Sequence, residues 1–509
     1  MAHSSRISPT HAATLIADGS TIALSASGGG LGEPDTILEA IEARFLETGH
    51  PRNLTLVHAL GLGDRDRRGT NRFAHEGMVK RVIGGHWTWS PSMQALAAEE
   101  RIEAYSLPSG VISLLIREIG AGRPGLITKT GLDTFVDPRR QGGKVNASAQ
   151  DDLVELMAID GEEYLRFKPF RIDVGIIRGT AADSAGNVTA REEPADLDMF
   201  SVALATHNCG GITIAQVRDH VACGAIAARD VCIPAFMVAH VVVVPDQFQT
   251  YRGGYDISLA GLQLRADLSP SQAVDRGLRR VVALRAAEEL RPGTTVNFGF
   301  GMSAGVAGVI AERKDDNLYS ITIEQGIHGG AIETGDLFGM AVNPTAIISS
   351  TEQFDIYHGG GLDIAFLGMA EFDSMGNVNV SHLSGKIVGP GGFIDIAQNA
   401  QKVVFCGTFD AKSAQIEVVK GGLAIHSHGL IRKLVREVAA VTFSGKQARL
   451  RNQEVIFVTE RAVFRLVDEG IELVEYAEGV DVEADVIARM GFRPIVRNPR
   501  PMNPDCFQP

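Results

Sequence analysis

A glutamate, Glu324, stands where an apolar segment meets a run of glycines, in the sequence LYSITIEQGIHGG of residues 318–330. Residues 318–323 are predicted to form a strand, and ligand sites in parallel sheets form beyond the carboxyl ends of strands. Neighbouring glycines let a substrate approach the backbone closely. A carboxylate held there can act as a covalent nucleophile. This segment alone fits equally well a surface glutamate that ends a strand.

A second candidate nucleophile is Ser303, whose surroundings GMSAG match the G-x-S-x-G turn of serine hydrolases. Those enzymes carry an HGGG loop upstream of the serine, whereas the run that begins at His358 lies downstream. The glycines at 299 and 301 instead favour a loop whose backbone N–H groups cradle a ligand. We therefore do not expect a serine hydrolase.

Metal and dinucleotide chemistry are both poorly supported by residue spacing. His207 with Cys209, and His220 with Cys223, would make four ligands, but their spacing is not that of a zinc knuckle. The glycine run at 28–32 follows a predicted strand but lacks the full G-x-G-x-x-G and the acidic residue that binds ribose. We expect inert cysteines, no metal and no dinucleotide.

Two internal repeats place these residues on strands and turns. VGIIRGTAADSAGNVTA (174–190) and IAFLGMAEFDSMGNVNV (364–380) each predict a strand, a tight turn and a returning strand. TIALSASGGGLGEPDTILEAI (21–41) and TTVNFGFGMSAGVAGVIAE (294–312) each predict a strand, a Gly-rich turn and a helix. The predicted fold class is α/β, with two homologous domains that each contain a mainly parallel sheet flanked by helices.

The two domains are predicted to cover residues 1–262 and residues 270–509. A chain of 509 residues is too long for one hydrophobic core. Ser269 and Pro270 predict the N-cap and first turn of a helix that opens the second domain. The first-half segment LTLVHALGLG ends without a glutamate, so we expect one site per chain, with the first half forming walls and selecting the acid.

Composition excludes several classes of function. With 48 Lys and Arg against 61 Asp and Glu, the net charge of −13 gives no reason to expect nucleic-acid binding. The sequence has no long apolar span, no signal-peptide layout and five scattered cysteines, which predicts a cytoplasmic protein without a membrane partner. Its 57 glycines, many of them in runs, fit a protein that binds an extended, phosphate-bearing ligand.

Several long motifs, in order along nearly the whole chain, resemble the family I coenzyme A transferases, in particular the fused single-chain acetate, propionate and 3-ketoacid enzymes. The first half supplies GGHWTWSPSMQ, EAYSLPSGVISLLIREIGAGRPG, GLDTFVDPRRQGGKVN and RGTAADSAGN; the second supplies VNFGFGMSAGV, TIEQGIHGG and GKIVGPGGFIDIAQNAQKVVFCGTF. The resemblance implies an enzyme that moves CoA between an acyl-CoA and a carboxylic acid. It also implies short-chain fatty acid or 3-oxoacid (ketone body) metabolism, no tightly bound cofactor, and a homodimer or homotetramer.

The resemblance assigns roles to single residues. Glu324 is implied as the catalytic residue, which forms a glutamyl-CoA thioester. The family's N-x-G-x-G loop and G-x-G-G-F element correspond to residues 297–301 and 389–393, whose backbone N–H groups we expect to stabilise oxyanions. The residues expected to bind CoA are Asn297, Gly299, Phe300, Gly301, Gly326, Gly391 and Gly392.

Three residues that depart from the family pattern are expected to contact the acyl group. Ser109 stands where relatives carry glutamine, Gln325 follows the glutamate, and His328 lies two positions past Gly326. The short Ser109 side chain predicts room for an acyl group that is bulkier or more polar than acetate. These departures leave two alternatives open: an acyl-CoA or C–C bond (ring-opening) hydrolase or lyase on the same scaffold, and a catalytically silent acyl-CoA-binding protein.

Overall fold

The computed structural model describes residues 4–262, 276–383 and 385–507. Within them the α-helices, labelled α1 to α10 in chain order, are Pro9–Thr14, Asp35–Thr48, Pro91–Ala98, Ser109–Gly120, Met199–Asn208, Leu278–Ala287, Ala304–Arg313, Ser350–His358, Phe393–Asn399 and Gly445–Leu450. The helix start predicted at Ser269 and Pro270 lies outside the described residues. Within the stretch predicted as helix, α6 begins at Leu278, after Gly277 with a non-helical φ of 77°.

The first half of the chain forms a parallel sheet. In spatial order its strands are Ser5–Ile7, His240–Val243, Ile212–Val221, Val174–Asp183, Thr21–Leu24, Leu54–His58, Val79–Gly84 and Glu103–Ser106. A short strand, Val188–Thr189, returns antiparallel to Val174–Asp183. A separate antiparallel sheet holds Leu126–Thr128, Glu162–Phe167 and Val154–Ile159.

The second half forms a larger sheet that is parallel at its centre and has antiparallel pairs on both sides of that centre. Its outermost pair at one edge, Gly470–Tyr476 with Ile495–Pro501, is parallel again. In spatial order its strands are Ala346–Ile347, Ile327–His328, Ser320–Ile323, Thr295–Phe298, Ile364–Gly368, Lys402–Cys406, Glu454–Val458, Ala462–Val467, Gly470–Tyr476 and Ile495–Pro501. Small antiparallel pairs lie beside it: Ala331–Ile332 with Ala341–Val342, Glu371–Phe372 with Val378–Asn379, His382–Leu383 with Lys386–Ile387, Asp410–Ala411 with Ile431–Arg432, and Gln415–Val419 with Gly422–Ser427.

The two main sheets share one strand order around their centres. Thr21–Leu24 and Thr295–Phe298 each have the next long strand of the chain on one side and the repeat strand, Val174–Asp183 or Ile364–Gly368, on the other. The strand, turn and returning strand predicted for both repeats are present. The division into domains at 262 and 270 stays a prediction.

Hydrophobic side chains join the two halves. Helix α4 is buried along nearly its whole length and packs against α8 and α9 of the second half. Ile112 and Leu115 of α4 belong to one contiguous cluster with Phe354 and Ile396. Because this core is shared, the two halves of the chain are held against each other.

Candidate active site

A cavity of about 240 Å³ lies between the carboxyl ends of the two sheets. On the second-half side, the wall is made by residues at or just beyond the ends of the strands Thr295–Phe298, Ser320–Ile323 and Ile364–Gly368. On the first-half side, it is made by residues just beyond the ends of Thr21–Leu24, Leu54–His58 and Val79–Gly84. Residues brought together from the second half include Asn297, Gly299, Phe300, Glu324, Gln325, Phe338, Gly368, Gly391, Gly392 and Phe393, and those from the first include Ser27, Leu60, Arg65, His86, Thr88 and Trp89.

Glu324 directly follows the buried strand Ser320–Ile323, and its half-buried side chain lines the cavity. Its carboxylate accepts hydrogen bonds from the side chain of Gln325 and the backbone N–H of Gly392. Burial, and then the negative charge of Asp395, raise the pKa of Glu324 to about 7. The group therefore exchanges its proton near neutral pH.

Gly392 fits closely against this carboxylate. A Cβ atom at position 392 would lie 1.7 Å from Oε2 of Glu324, so only glycine leaves the carboxylate its place. Gly391 also lines the cavity, but its N–H donates to the carbonyl of Gly85 at 2.8 Å, and its carbonyl accepts from the N–H of Ser109 at 2.8 Å. Gly391 thus tethers the loop to the first half, and its N–H is not the free oxyanion donor that was expected.

The loop after Thr295–Phe298 reaches the cavity only in part. Asn297, Gly299 and Phe300 line the cavity, whereas Gly301 does not. The Asn297 amide donates to the Thr322 carbonyl and the Tyr357 hydroxyl at 3.2 and 3.1 Å. The N–H of Gly299 donates to the Phe366 carbonyl at 2.8 Å, so this expected donor is also engaged in the sheet.

Residues 325–328 contribute one side chain to the cavity. Gln325 is buried and lines the cavity, and its Oε1 has no hydrogen-bond partner within the described residues. Gly326, with φ of 96°, makes the reversal between Ser320–Ile323 and the next strand, where a Cβ would lie 2.0 Å from the Ile348 carbonyl oxygen. His328 is on that next strand and is not among the residues that line the cavity.

Ser109 is placed differently from the sequence expectation. It begins α4, is fully buried, and its hydroxyl donates to the carbonyl of Ala59 at 2.6 Å. It lies behind the wall formed by Gly391 and does not line the cavity. Because the hydroxyl is turned towards the first-half sheet, we do not retain Ser109 as an acyl contact, and His328 is set aside with it.

Three side chains of the first-half wall were not assigned roles from the sequence. The Arg65 guanidinium lies 3.9 Å from the centre of the Trp89 ring and donates to Asp336 of the second half at 2.8 Å. His86 faces the glycine loop, and burial lowers its pKa to about 4, so it is neutral at pH 7. Trp89 and His86 belong to the GGHWTW motif, which could have indicated them; nothing comparable marks Arg65.

The alternative chemistries considered from the sequence do not assemble into sites. Ser303 is buried, and its hydroxyl donates to the Gly299 carbonyl at 3.0 Å. His358 contacts Asp395 rather than Ser303. In the described ranges no three His, Cys, Asp or Glu side chains gather as metal ligands, and no helix there has the length and apolarity needed to cross a membrane.

Comparison with known proteins matches nearly the whole chain to CoA-transferases. The family described as Coenzyme A transferase matches residues 6–244. The acetate CoA-transferase YdiF of Escherichia coli K12 is 40% identical over 490 residues, which cover 96% of this chain and 92% of that protein. The caffeate CoA-transferase of Acetobacterium woodii is 42% identical over 498 residues, covering 96% and 94%.

A solved structure extends this likeness to three dimensions. The acyl-CoA transferase YdiF of E. coli O157:H7, crystallised as a thioester complex with CoA, superposes with a TM-score of 0.94 at 38% identity, covering 100% of this chain and 96% of that one. The predicted α/β fold class, with mainly parallel sheets flanked by helices, is confirmed. The predictions of an enzyme and of the family are confirmed as well.

Proposed function

This chain belongs to the coenzyme A transferase family, and we propose that it moves CoA between an acyl-CoA and a free carboxylic acid through a thioester on Glu324. The observation that carries the proposal is the Glu324 carboxylate itself, which lines the cavity between the two sheets and is held by Gln325 and Gly392. A thioester complex of a relative with this fold adds support.

The reaction proceeds by exchange at two carbonyl carbons. The Glu324 carboxylate attacks the acyl-CoA carbonyl, the C–S bond breaks, and an acyl-glutamyl anhydride and CoA thiolate result. The thiolate attacks the glutamyl carbonyl, the C–O bond breaks, and the first acid leaves. The incoming carboxylate then attacks the glutamyl-CoA thioester, and the expelled thiolate attacks the new anhydride to give the product acyl-CoA and free Glu324. One thioester replaces another, so no external energy source is needed.

The charge of Glu324 suits this role. A carboxylate with a pKa of about 7 is largely ionised just above neutral pH yet more basic than an ordinary glutamate, which favours nucleophilic attack. When the thiolate attacks the glutamyl carbonyl, negative charge develops on an oxygen that already faces the Gln325 amide and the Gly392 N–H. These two donors take the place of the more numerous backbone donors expected from the glycine motifs.

The walls of the cavity indicate the class of acid. Aromatic rings from both halves line it, including Trp89, Phe300, Phe338 and Phe393. The rings of Phe300 and Phe338 meet edge to face at 5.4 Å, and Arg65 adds a cation at the same wall. We propose carboxylic acids with an apolar body, a class that spans the acetate and caffeate named for the two relatives. Cytoplasmic location and a homo-oligomeric state remain predictions.

The test is two-substrate kinetics with a graded panel of acids. Parallel reciprocal plots are expected, since the first acid leaves before the second enters. Phe300→Ala should lower kcat/KM for cinnamate-sized acids by roughly tenfold and leave acetate nearly unchanged, because loss of apolar contact area weakens only the larger ligand. Consumption of acyl-CoA without any acceptor acid, at the rate seen with one, would instead identify a hydrolase.

A further inference from the structure

Asp395 is a buried carboxylate with an unusual set of neighbours. It lies in the first turn of α9 and its side chain is fully buried. Oδ2 accepts the backbone N–H of Gly110 at 2.9 Å, and Oδ1 lies 2.9 Å from Nε2 of His358. Buried carboxylates are costly unless they are paired or hydrogen-bonded, so this one is held in place by two separate elements.

The absence of a side chain at Gly110, in the first half of the chain, leaves the space that the Asp395 carboxylate occupies. Gly110, on α4, is so close that a Cβ there would lie 2.6 Å from Oδ1 of Asp395 and 2.5 Å from the Phe354 ring. His358 is the last residue of α8, and its side chain is 13% exposed. Helices α4, α8 and α9 therefore converge on one carboxylate.

Asp395 also lies one helical turn from a residue that contacts the proposed nucleophile. Gly392, the N-cap of α9, contacts the Glu324 carboxylate, and Asp395 follows three positions later. Positions three apart on a helix are neighbours on its surface, with about 5–6 Å between their Cβ positions, so Asp395 lies on the helical turn that begins at the Glu324 contact. A negative charge near a carboxylate favours its protonated form, and the charge of Asp395 acts in that direction on Glu324.

The other titratable groups around Glu324 and Asp395 are either neutral or paired with carboxylates. Tyr357, on α8, shares its hydroxyl with Asn297 and Thr322 and stays neutral because burial raises its pKa. His86, across the cavity, is neutral at pH 7. The cation of Arg65 is paired with Asp336, and Arg117, on α4, is paired with Asp355 and Glu118.

We propose that Asp395 is a positioning residue of the transferase reaction, and that its charge, fixed by His358 and the Gly110 N–H, keeps the Glu324 carboxylate basic and therefore strongly nucleophilic. The proposal rests on the proposed role of Glu324. His358 takes part because it orients Asp395 from the outer side, where it is the member of the group that reaches solvent.

The experiment measures the rate of CoA release from acyl-CoA between pH 5 and 9. In the wild type this rate should rise through about pH 7 as Glu324 ionises. In Asp395→Asn, which keeps the shape and the bond from Gly110, the midpoint should move to lower pH by half a unit or more, and the plateau rate should fall several-fold. A folded Asp395→Asn protein with an unchanged midpoint overturns the proposal.

Two substitutions at His358 test the proposal by the same pH midpoint of CoA release, even if Asp395→Asn does not fold. His358→Gln retains an N–H donor for Asp395 and should keep the wild-type midpoint. His358→Leu removes the donor, so Asp395 loses the partner that stabilises its charge, and the midpoint should shift as in Asp395→Asn. Equal midpoints in the Gln and Leu proteins overturn the proposal.

Failure of the proposed function is recognised separately with Glu324→Gln. If that variant still exchanges CoA, Glu324 is not the nucleophile, and both the function as proposed and this inference fall. If it is inactive while the Asp395 and His358 variants leave the midpoint in place, only the inference falls.

Discussion

Glu324 holds its charge at a cost to folding. Burial and Asp395 raise its pKa from 4.5 to about 7, so the folded protein binds a proton at pH 5 to 7 that the unfolded chain has largely released. Stability due to this group is therefore fully present below pH 4.5 and falls as the pH rises towards 7. The raised pKa that makes this carboxylate basic therefore lowers the stability of the fold at the pH where the carboxylate acts.

Replacing Glu324 by glutamine removes that cost. At pH 8, Glu324→Gln should unfold at a higher temperature than the wild type, and its free energy of unfolding should be larger by about 3 kcal/mol, because the rise in pKa from 4.5 to about 7 costs about 1.4 kcal/mol per unit. At pH 4.5 the two proteins should unfold alike. Scanning calorimetry at both pH values checks this, with the exposed Glu437→Gln as control. An equal stabilisation at both pH values would show that the gain is not electrostatic.

The close fit between Gly392 and Glu324 predicts the effect of one added methyl group. Gly392→Ala should lower kcat by about a hundredfold, because the Cβ occupies the position of Oε2 and displaces the carboxylate by about an ångström. Thermal stability should change little, since the carboxylate can move into the cavity. Gly368→Ala is the matched control: Gly368 lines the same cavity, but its Cβ would meet only the Phe300 carbonyl, at 3.6 Å. Comparable losses in both variants would contradict this account.

At the scale of elements, one hydroxyl joins two strands to α8. Tyr357 accepts from Asn297 and bonds to Thr322, on the two strands that carry the site. Tyr357→Phe leaves both partners buried with one bond fewer, which should cost about 1–3 kcal/mol and lower the melting temperature. Loosening the strand that ends at Glu324 should also lower kcat. Tyr319→Phe, at a partly exposed tyrosine just before the same strand, should do neither.

Elements were predictable from the sequence where local chemistry determines them. The D-S-x-G-N turn of each repeat forms because Asp183 and Asp373 accept the backbone N–H groups that follow them, a local preference visible in the residues themselves. The position of Glu324 at the end of a strand was also predictable locally, because an apolar segment precedes it and glycines follow it. The side-chain direction of Ser109 was not predictable, because it depends on how Ala59 and Gly391 meet it from distant parts of the chain.

At the scale of the whole molecule, the repeats indicated two similar halves, and the two sheets share their strand order. The repeats do not predict which residues of the two halves contact each other. The N–H of Gly391, expected to be free, donates to the Gly85 carbonyl of the first half, and the Arg65–Asp336 pair also crosses between the halves. Such contacts depend on packing between residues hundreds of positions apart, which no local pattern specifies.

The central claim is that Glu324 carries CoA as a covalent thioester, and this can be measured on the protein directly. After incubation with acyl-CoA and no acceptor acid, the intact mass should rise by that of CoA less one water. Borohydride reduction should then mark the peptide that contains Glu324. Glu324→Gln should show neither change, and Glu333→Gln, a nearby control, should show both. CoA exchange that proceeds with no adduct, or with an adduct on another residue, would contradict the account.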